Sequence, residues 1–104
     1  MAYSKQRTDE LKSRCDDYYN QWTIVESENA KQTQADQALQ AANTELAAAA
    51  QKYSPSSPEY QAAAKKQADA QAARDAQYQA TVAARTSLDN IQVDIINRAK
   101  GLQS

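Results

Sequence analysis

A single interruption constrains this chain most. Between Ser4 and Lys52 there is neither Pro nor Gly, and from Ser57 to Lys100 the one Pro is Pro58, at the very start. Tyr53-Ser54-Pro55-Ser56-Ser57-Pro58-Glu59-Tyr60 lies between the two stretches. Ala, Gln, Lys, Glu and Arg dominate both, and these are strong helix formers. Pro55 biases Ser54 out of the helical region and so ends a first helix. Ser57 suits an N-cap, Pro58 fits the first helical position, and Glu59 places a negative charge in the first turn. Arg98 and Lys100 suit a last turn, with Gly101 as the C′ stop. The expectation is one helical-hairpin domain over residues 1–104: helix one at about 4–52, a turn at 53–57 and helix two at about 58–100. The fold class is all-α, two long helices in an antiparallel, coiled-coil-like hairpin. A link this short folds them back on each other.

Composition narrows the chemistry. Ala occurs 22 times and Gln 14 times, against five Leu, four Ile, three Val and no Phe. Ala buries little area, so a thick core is excluded. There is no His. That removes an ordinary zinc site, a Ser–His or Cys–His couple and a proton shuttle near neutral pH. No Gly-rich loop exists to cradle phosphate. The aspartates at 69, 75, 89 and 94 do not repeat at metal-ligand spacing, and the Asp16-Asp17 carboxylates diverge on a helix. The chain is expected to be no enzyme, with no cofactor and no metal.

Cys15 is the single cysteine. It has no internal disulfide partner and reads as a seam residue, with an intermolecular link as the alternative. Twelve Lys and Arg stand against 13 Asp and Glu. No basic block reads as a nucleic-acid footprint, and Lys65-Lys66 is a solvated face. No stretch approaches the roughly 20 apolar residues of a membrane span. Met1 to Asp17 has no apolar run, so no cleaved secretory signal of the usual kind is expected.

The seam of helix one reads Leu11, Cys15, Tyr18, Trp22 and Val25, stepping by 4, 3, 4 and 3 as in a heptad. The same register meets polar Asn29, Gln32 and Asp36 before Leu39, Leu46 and Tyr53. Trp22 is read as a seam anchor, or as an anchor between subunits. Tyr53 and Tyr60 bracket the turn as a clasp or as a contact tip. In helix two Ala64, Ala68, Ala72, Ala76, Ala80 and Ala84 recur every four residues. That spacing overshoots the turn by about 40° per step, so the row winds around the helix. Beyond it the pattern hardens into Leu88, Ile91, Ile95 and Leu102, with Val82, Val93 and Ile96 alongside.

Such a hairpin buries too little per residue to offset chain entropy comfortably. Self-association or a protein partner is therefore expected, with Trp22, Val82, Leu88, Ile91, Ile95 and Ile96 as the assembly interface. Ile95→Asp is expected to keep helicity and abolish assembly. A fibre subunit, a cytosolic export chaperone or adaptor, and a phage or virion structural protein all fit helix pairing alone.

Pro55-Ser56-Ser57-Pro58 between two helices resembles the P-x-x-P loop of type III secretion needle subunits. Trp22 lies about as far ahead of the Pro pair as the N-terminal Trp of that family. Thr81-Val82 and the closing Val93-Asp94-Ile95-Ile96-Asn97-Arg98 also resemble its second helix and its Ile-Ile-x-Asn stretch. The resemblance covers about Trp22 to Arg98. It implies a secreted hairpin that polymerises helically into a hollow tube. Helix two would line the lumen, Leu88 to Ile96 would carry axial contacts, and cytosolic export chaperones would cover helix two first. The residues before Trp22 and after Arg98 make this chain longer than typical needle subunits. The expected function is thus a structural, self-assembling filament subunit, secreted or at the cell surface without a cleaved signal. The alternative is a small cytosolic helical chaperone or adaptor for a secretion or virion component. Concentration-dependent growth separates the first from the defined dimer or heteromer of the second.

Overall fold

The computed structural model describes residues 5–102, so the expected helix start at Ser4 lies outside the described residues. Two helices make up the fold, α1 (Lys5–Lys52) and α2 (Pro58–Gly101), and no strand occurs among the described residues. The all-α hairpin read from the sequence is the architecture of the molecule.

Pro55, Ser57 and Pro58 build the turn as their chemistry dictates. The Tyr53 N–H donates to the Ala49 carbonyl at 2.8 Å. The chain then turns through Ser54-Pro55-Ser56-Ser57, closed by a Ser57 N–H to Ser54 carbonyl bond of 3.0 Å. No described residue has positive φ, so the turn avoids the left-handed second residue of type II and keeps Pro at its favoured i+1 place. Ser57 then caps α2. Its Oγ accepts from the Tyr60 N–H at 3.2 Å and donates to the Ser54 carbonyl at 2.8 Å. The Gln61 N–H donates to the Ser57 carbonyl at 3.1 Å, the first bond of the helix ladder. Tyr53 is exposed and Tyr60 half-buried.

The other end of α2 departs from expectation. Gly101 is the last helical residue, and its φ is not positive. The Leu102 N–H is shared between the Arg98 and Ala99 carbonyls at 3.2 Å each. A three-centre bond of this kind closes a helix end without a left-handed C′ residue, so Gly101 does not act as the expected stop.

Contacts group the chain into two compact units. The first contains the α1 residues up to Glu28 and the α2 residues from Thr81 onward; the second is Asn29–Ala80. Within each unit α1 and α2 run antiparallel. In the first, Arg7 reaches Gly101, Arg14 reaches Asp94 and Gln21 reaches Ala84. In the second, Asp36 meets Arg74 and Glu45 meets Lys66.

The first unit buries Leu11, Arg14, Tyr18, Gln21, Val25 and Glu28, in whole or in part, along α1. It sets them against Thr81, Ala84, Leu88, Ile91, Ile95 and Leu102 of α2. The α1 steps, and those of α2 as far as Ile95, alternate 3 and 4, the spacing of ridges packed at a shallow crossing; the exposed Arg98 takes the next place before Leu102. The register inferred from the sequence was right at Leu11, Tyr18 and Val25 and one residue off between them. Arg14 and Gln21 occupy the seam, whereas Cys15 and Trp22 are exposed. A heptad admits a step of 3 or of 4 after each anchor, and polarity favoured the wrong one. Hydrogen bonding across the helices decides otherwise. Gln21 Nε2 donates to the Ala84 carbonyl at 3.0 Å, and Thr81 Oγ1 reaches the Glu28 carbonyl at 3.4 Å.

The second unit lines its seam with Gln32, Ala35, Leu39, Ala42, Leu46 and Ala49 facing Tyr60, Ala63, Gln67, Ala70, Arg74 and Gln77. Here too the step is 3, so Asp36 is exposed and Ala35 half-buried. Ala42 is only 2% exposed, the lowest value among the buried apolar residues. Alanines alone do not distinguish one register from the next. Polar pairs do: Arg74 Nε donates to Asp36 Oδ1 at 2.9 Å, Gln67 Nε2 to Asn43 Oδ1 at 3.1 Å, and Lys66 Nζ to both Glu45 oxygens at 2.9 Å. A buried or half-buried polar residue specifies register at some cost in stability. The alanine row of α2 meets the seam only at its ends, Ala64 and Ala84, and Ala68, Ala72, Ala76 and Ala80 are exposed.

Candidate assembly surface

The first unit carries two chemically different sides. With Leu11, Tyr18 and Val25 as a positions, Glu10 and Asp17 fall at g, and on α2 Asp94 falls at g. The ion pairs collect on this side. Arg14 Nε donates to Asp94 Oδ2 at 2.7 Å, and Arg98 Nε donates to the same oxygen at 2.8 Å. Arg98 Nη1 reaches Glu10 at 3.2 Å, and Arg14 Nη1 reaches Asp17 at 3.0 Å. These residues and Ser13 line one surface cleft. Hydrogen bonds from Arg98, then from Arg14, hold the Asp94 carboxyl below its usual range. The bond to Asp94 raises both guanidinium groups in turn. Two positive groups and three negative ones satisfy each other here, so the cleft holds its own ligands.

The opposite, more apolar side gathers most of this unit's exposed large apolar side chains, with Arg85, Asp89 and Gln92 of α2 among them. Cys15 and Trp22 fall at e on α1 and Tyr19 at b. On α2, Val82 and Ile96 fall at b, with Val93 at the outer rim. Cys15 is exposed. Exposure of the larger side chains runs from 41% at Val82 through 43% at Trp22 to 55% at Val93 and 64% at Tyr19. The Tyr19 and Trp22 rings stack with centroids 6.5 Å apart. Ile24 is also exposed, at a g position on the ion-paired side.

The residues expected to form an assembly interface fall into two groups. Leu88, Ile91 and Ile95 are half-buried in the hairpin's own seam. Trp22, Val82 and Ile96 are exposed, all on the apolar side. Tyr19, Val93 and Cys15 join the second group and were not singled out for it. Their signal lay in the sequence as spacing: 15, 19 and 22 step by 4 and 3, a stripe parallel to the seam. The Arg14–Asp94 pair spans 80 residues and left no local signal.

Among the described residues no helix is long and apolar enough to cross a membrane, and no group of three or more His, Cys, Asp or Glu could hold a metal ion. No family model, curated protein or solved structure matches the chain.

Proposed function

We propose that this chain is a structural, self-assembling subunit of a secreted or surface filament, of the kind formed by type III secretion needle protomers. One observation carries the reading: among the described residues the fully buried apolar ones are few and mostly small, while eight large apolar side chains are exposed outside the seam. The buried apolar residues are Val25, Ala42, Ala49 and Ala84. Tyr19, Trp22, Ile24, Tyr53, Tyr78, Val82, Val93 and Ile96 are exposed. A monomer gains nothing from that distribution, since exposed apolar area is stabilised only when something covers it. The Pro55–Pro58 turn, locked by the Ser57 cap, supplies a preformed hairpin that needs no further ordering at that end. Preorganisation lowers the entropy cost of joining subunits. The work of such a subunit is packing, and no chemistry is asked of it. Export without a cleaved signal and cover by a cytosolic chaperone before assembly belong to the same proposal.

Size-exclusion chromatography with light scattering over a concentration series, with negative-stain microscopy of the same fractions, tests it. Mass that grows with concentration and ends in tubes or fibres is the expected result. A monomer or closed dimer at every concentration would remove the filament reading and leave the chaperone or adaptor.

A further inference from the structure

We infer that the apolar side of the first unit, built on Tyr19, Trp22, Val82 and Ile96, is where a second copy of this chain docks, antiparallel and about a two-fold axis near Tyr19. The inference rests on the proposed self-assembly and names one of its contacts; a two-fold contact closes on itself, so growth into a filament needs a second contact beside it.

Exposed apolar side chains point first to a protein occupant: Tyr19, Trp22, Val82, Val93 and Ile96 are each more than two-fifths exposed on this side. The exposed apolar residues of the first unit sit on helix faces that lie outside its own seam.

Charge points to a copy of the same chain. The net charge is −1, so two copies do not repel strongly. The α1 stripe reads Lys12, Cys15, Tyr19, Trp22, Glu26, with opposite charges at its two ends and Tyr19 midway. Lys12 and Glu26 are exposed and make no ion pair among the described residues, whereas Glu10, Arg14, Asp17, Asp94 and Arg98 on the other side are all paired. Antiparallel pairing of the stripe with its copy sets Lys12 against the Glu26 of the second copy at both ends. On α2, Val82 and Ile96 lie symmetrically about Asp89, so the same operation sets Val82 of one copy against Ile96 of the other. Asp89 then faces its own copy on the axis, a like-charge contact that offsets part of the gain from the two Lys12–Glu26 pairs. The Arg14–Asp94 and Gln21–Ala84 contacts bring Tyr19 and Asp89 to the same level within about one helical turn. One axis therefore serves both helices, which is the self-complementarity an isologous contact needs.

The surface carries its own probes, the single Trp and the single Cys. Full-length protein is followed from dilute monomer to associated species by Cys15 alkylation rate and Trp22 emission, with light scattering on the same samples. Association should slow Cys15 alkylation at least tenfold and shift Trp22 emission to shorter wavelength. Lys12→Glu should raise the concentration for half-association about tenfold, and adding Glu26→Lys should restore it, with helicity unchanged by circular dichroism in both variants. Association that leaves Cys15 reacting at the monomer rate would overturn the docking surface while self-assembly stands. Failure of the charge swap to restore association would overturn the antiparallel arrangement. No association at any concentration would overturn the surface and the function together.

Discussion

Arg14 Nε and Asp94 Oδ2 stand 2.7 Å apart across 80 residues of sequence, and Arg98 holds the same carboxylate oxygen from one turn further along α2. One aspartate thus ties α1 to α2 and to the last turns of its own helix. All three side chains are partly solvent-exposed, so the tie is screened and its value lies in fixing register near the chain ends.

This arrangement has a pH signature. The Asp94 carboxyl is held below its usual range by Arg98 and then Arg14. A depressed carboxyl contributes stability that is present above its unfolded value, about 3.9, and lost as pH falls through its lower folded value. Acidification below about pH 4 should loosen the pairing near Arg14. Amide hydrogen exchange at the two helix ends checks this. Asp94→Asn should exchange faster at neutral pH and show a weaker acid dependence, and an unchanged profile would count against the tie.

Ser57 supplies the cap of α2 through its bond from the Tyr60 N–H. Ser57→Ala should lower stability by about 1 kcal/mol, read as a lower urea midpoint with unchanged slope. Ser57→Asp should recover most of that loss, because a carboxylate caps equally well. A Ser57→Ala chain as stable as the parent would mean the Pro-Ser-Ser-Pro turn holds without its cap.

Ala42 is 2% exposed in the second unit. Helices that approach closely over alanine have no room for a branched side chain. Ala42→Leu should destabilise by about 1–3 kcal/mol despite the added apolar area. Thermal melting measures it, and a rise in Tm would show that the seam has slack.

Gln32 donates through Nε2 to Asp36 at 3.1 Å, and its Oε1 is buried without a partner. An unmet buried acceptor costs about 1–3 kcal/mol. Gln32→Leu should therefore raise the urea midpoint while loosening the choice of register. A lower midpoint would place the acceptor in contact with an ordered water.

Ile95 and Ile96 separate folding from assembly. Ile95 is half-buried in the seam and Ile96 exposed on the apolar side. Because Ile95 packs in the hairpin's own seam, Ile95→Asp should not keep the helicity expected from the sequence but should reduce helicity and stability as well as association. Ile96→Asp should keep the hairpin's circular dichroism and impair association alone. Equal behaviour of the two variants in both assays would contradict the division between seam and surface.

Much of this protein was decided locally and could be read from the chain. Long runs of good helix formers make two helices, and Pro55, Ser57 and Pro58 place the break and the cap, because these effects act within a few residues. The sevenfold set Leu11, Tyr18, Val25, Leu39 and Leu46 was legible for the same reason. The residues between those anchors were not. A heptad tolerates Cys15 or Arg14, and Trp22 or Gln21, equally well in spacing, and hydropathy chose the apolar one of each pair. Only the opposing helix settles the matter. Ala84 offers Gln21 a carbonyl, and Asp94 offers Arg14 a carboxylate. Those bonds turn α1 so that Cys15, Tyr19 and Trp22 face outward. Sequence determined which segments are helical and where they reverse, through short-range sterics and capping. Tertiary structure decided which face each helix buries and which it presents, because that choice depends on groups brought together from distant parts of the chain.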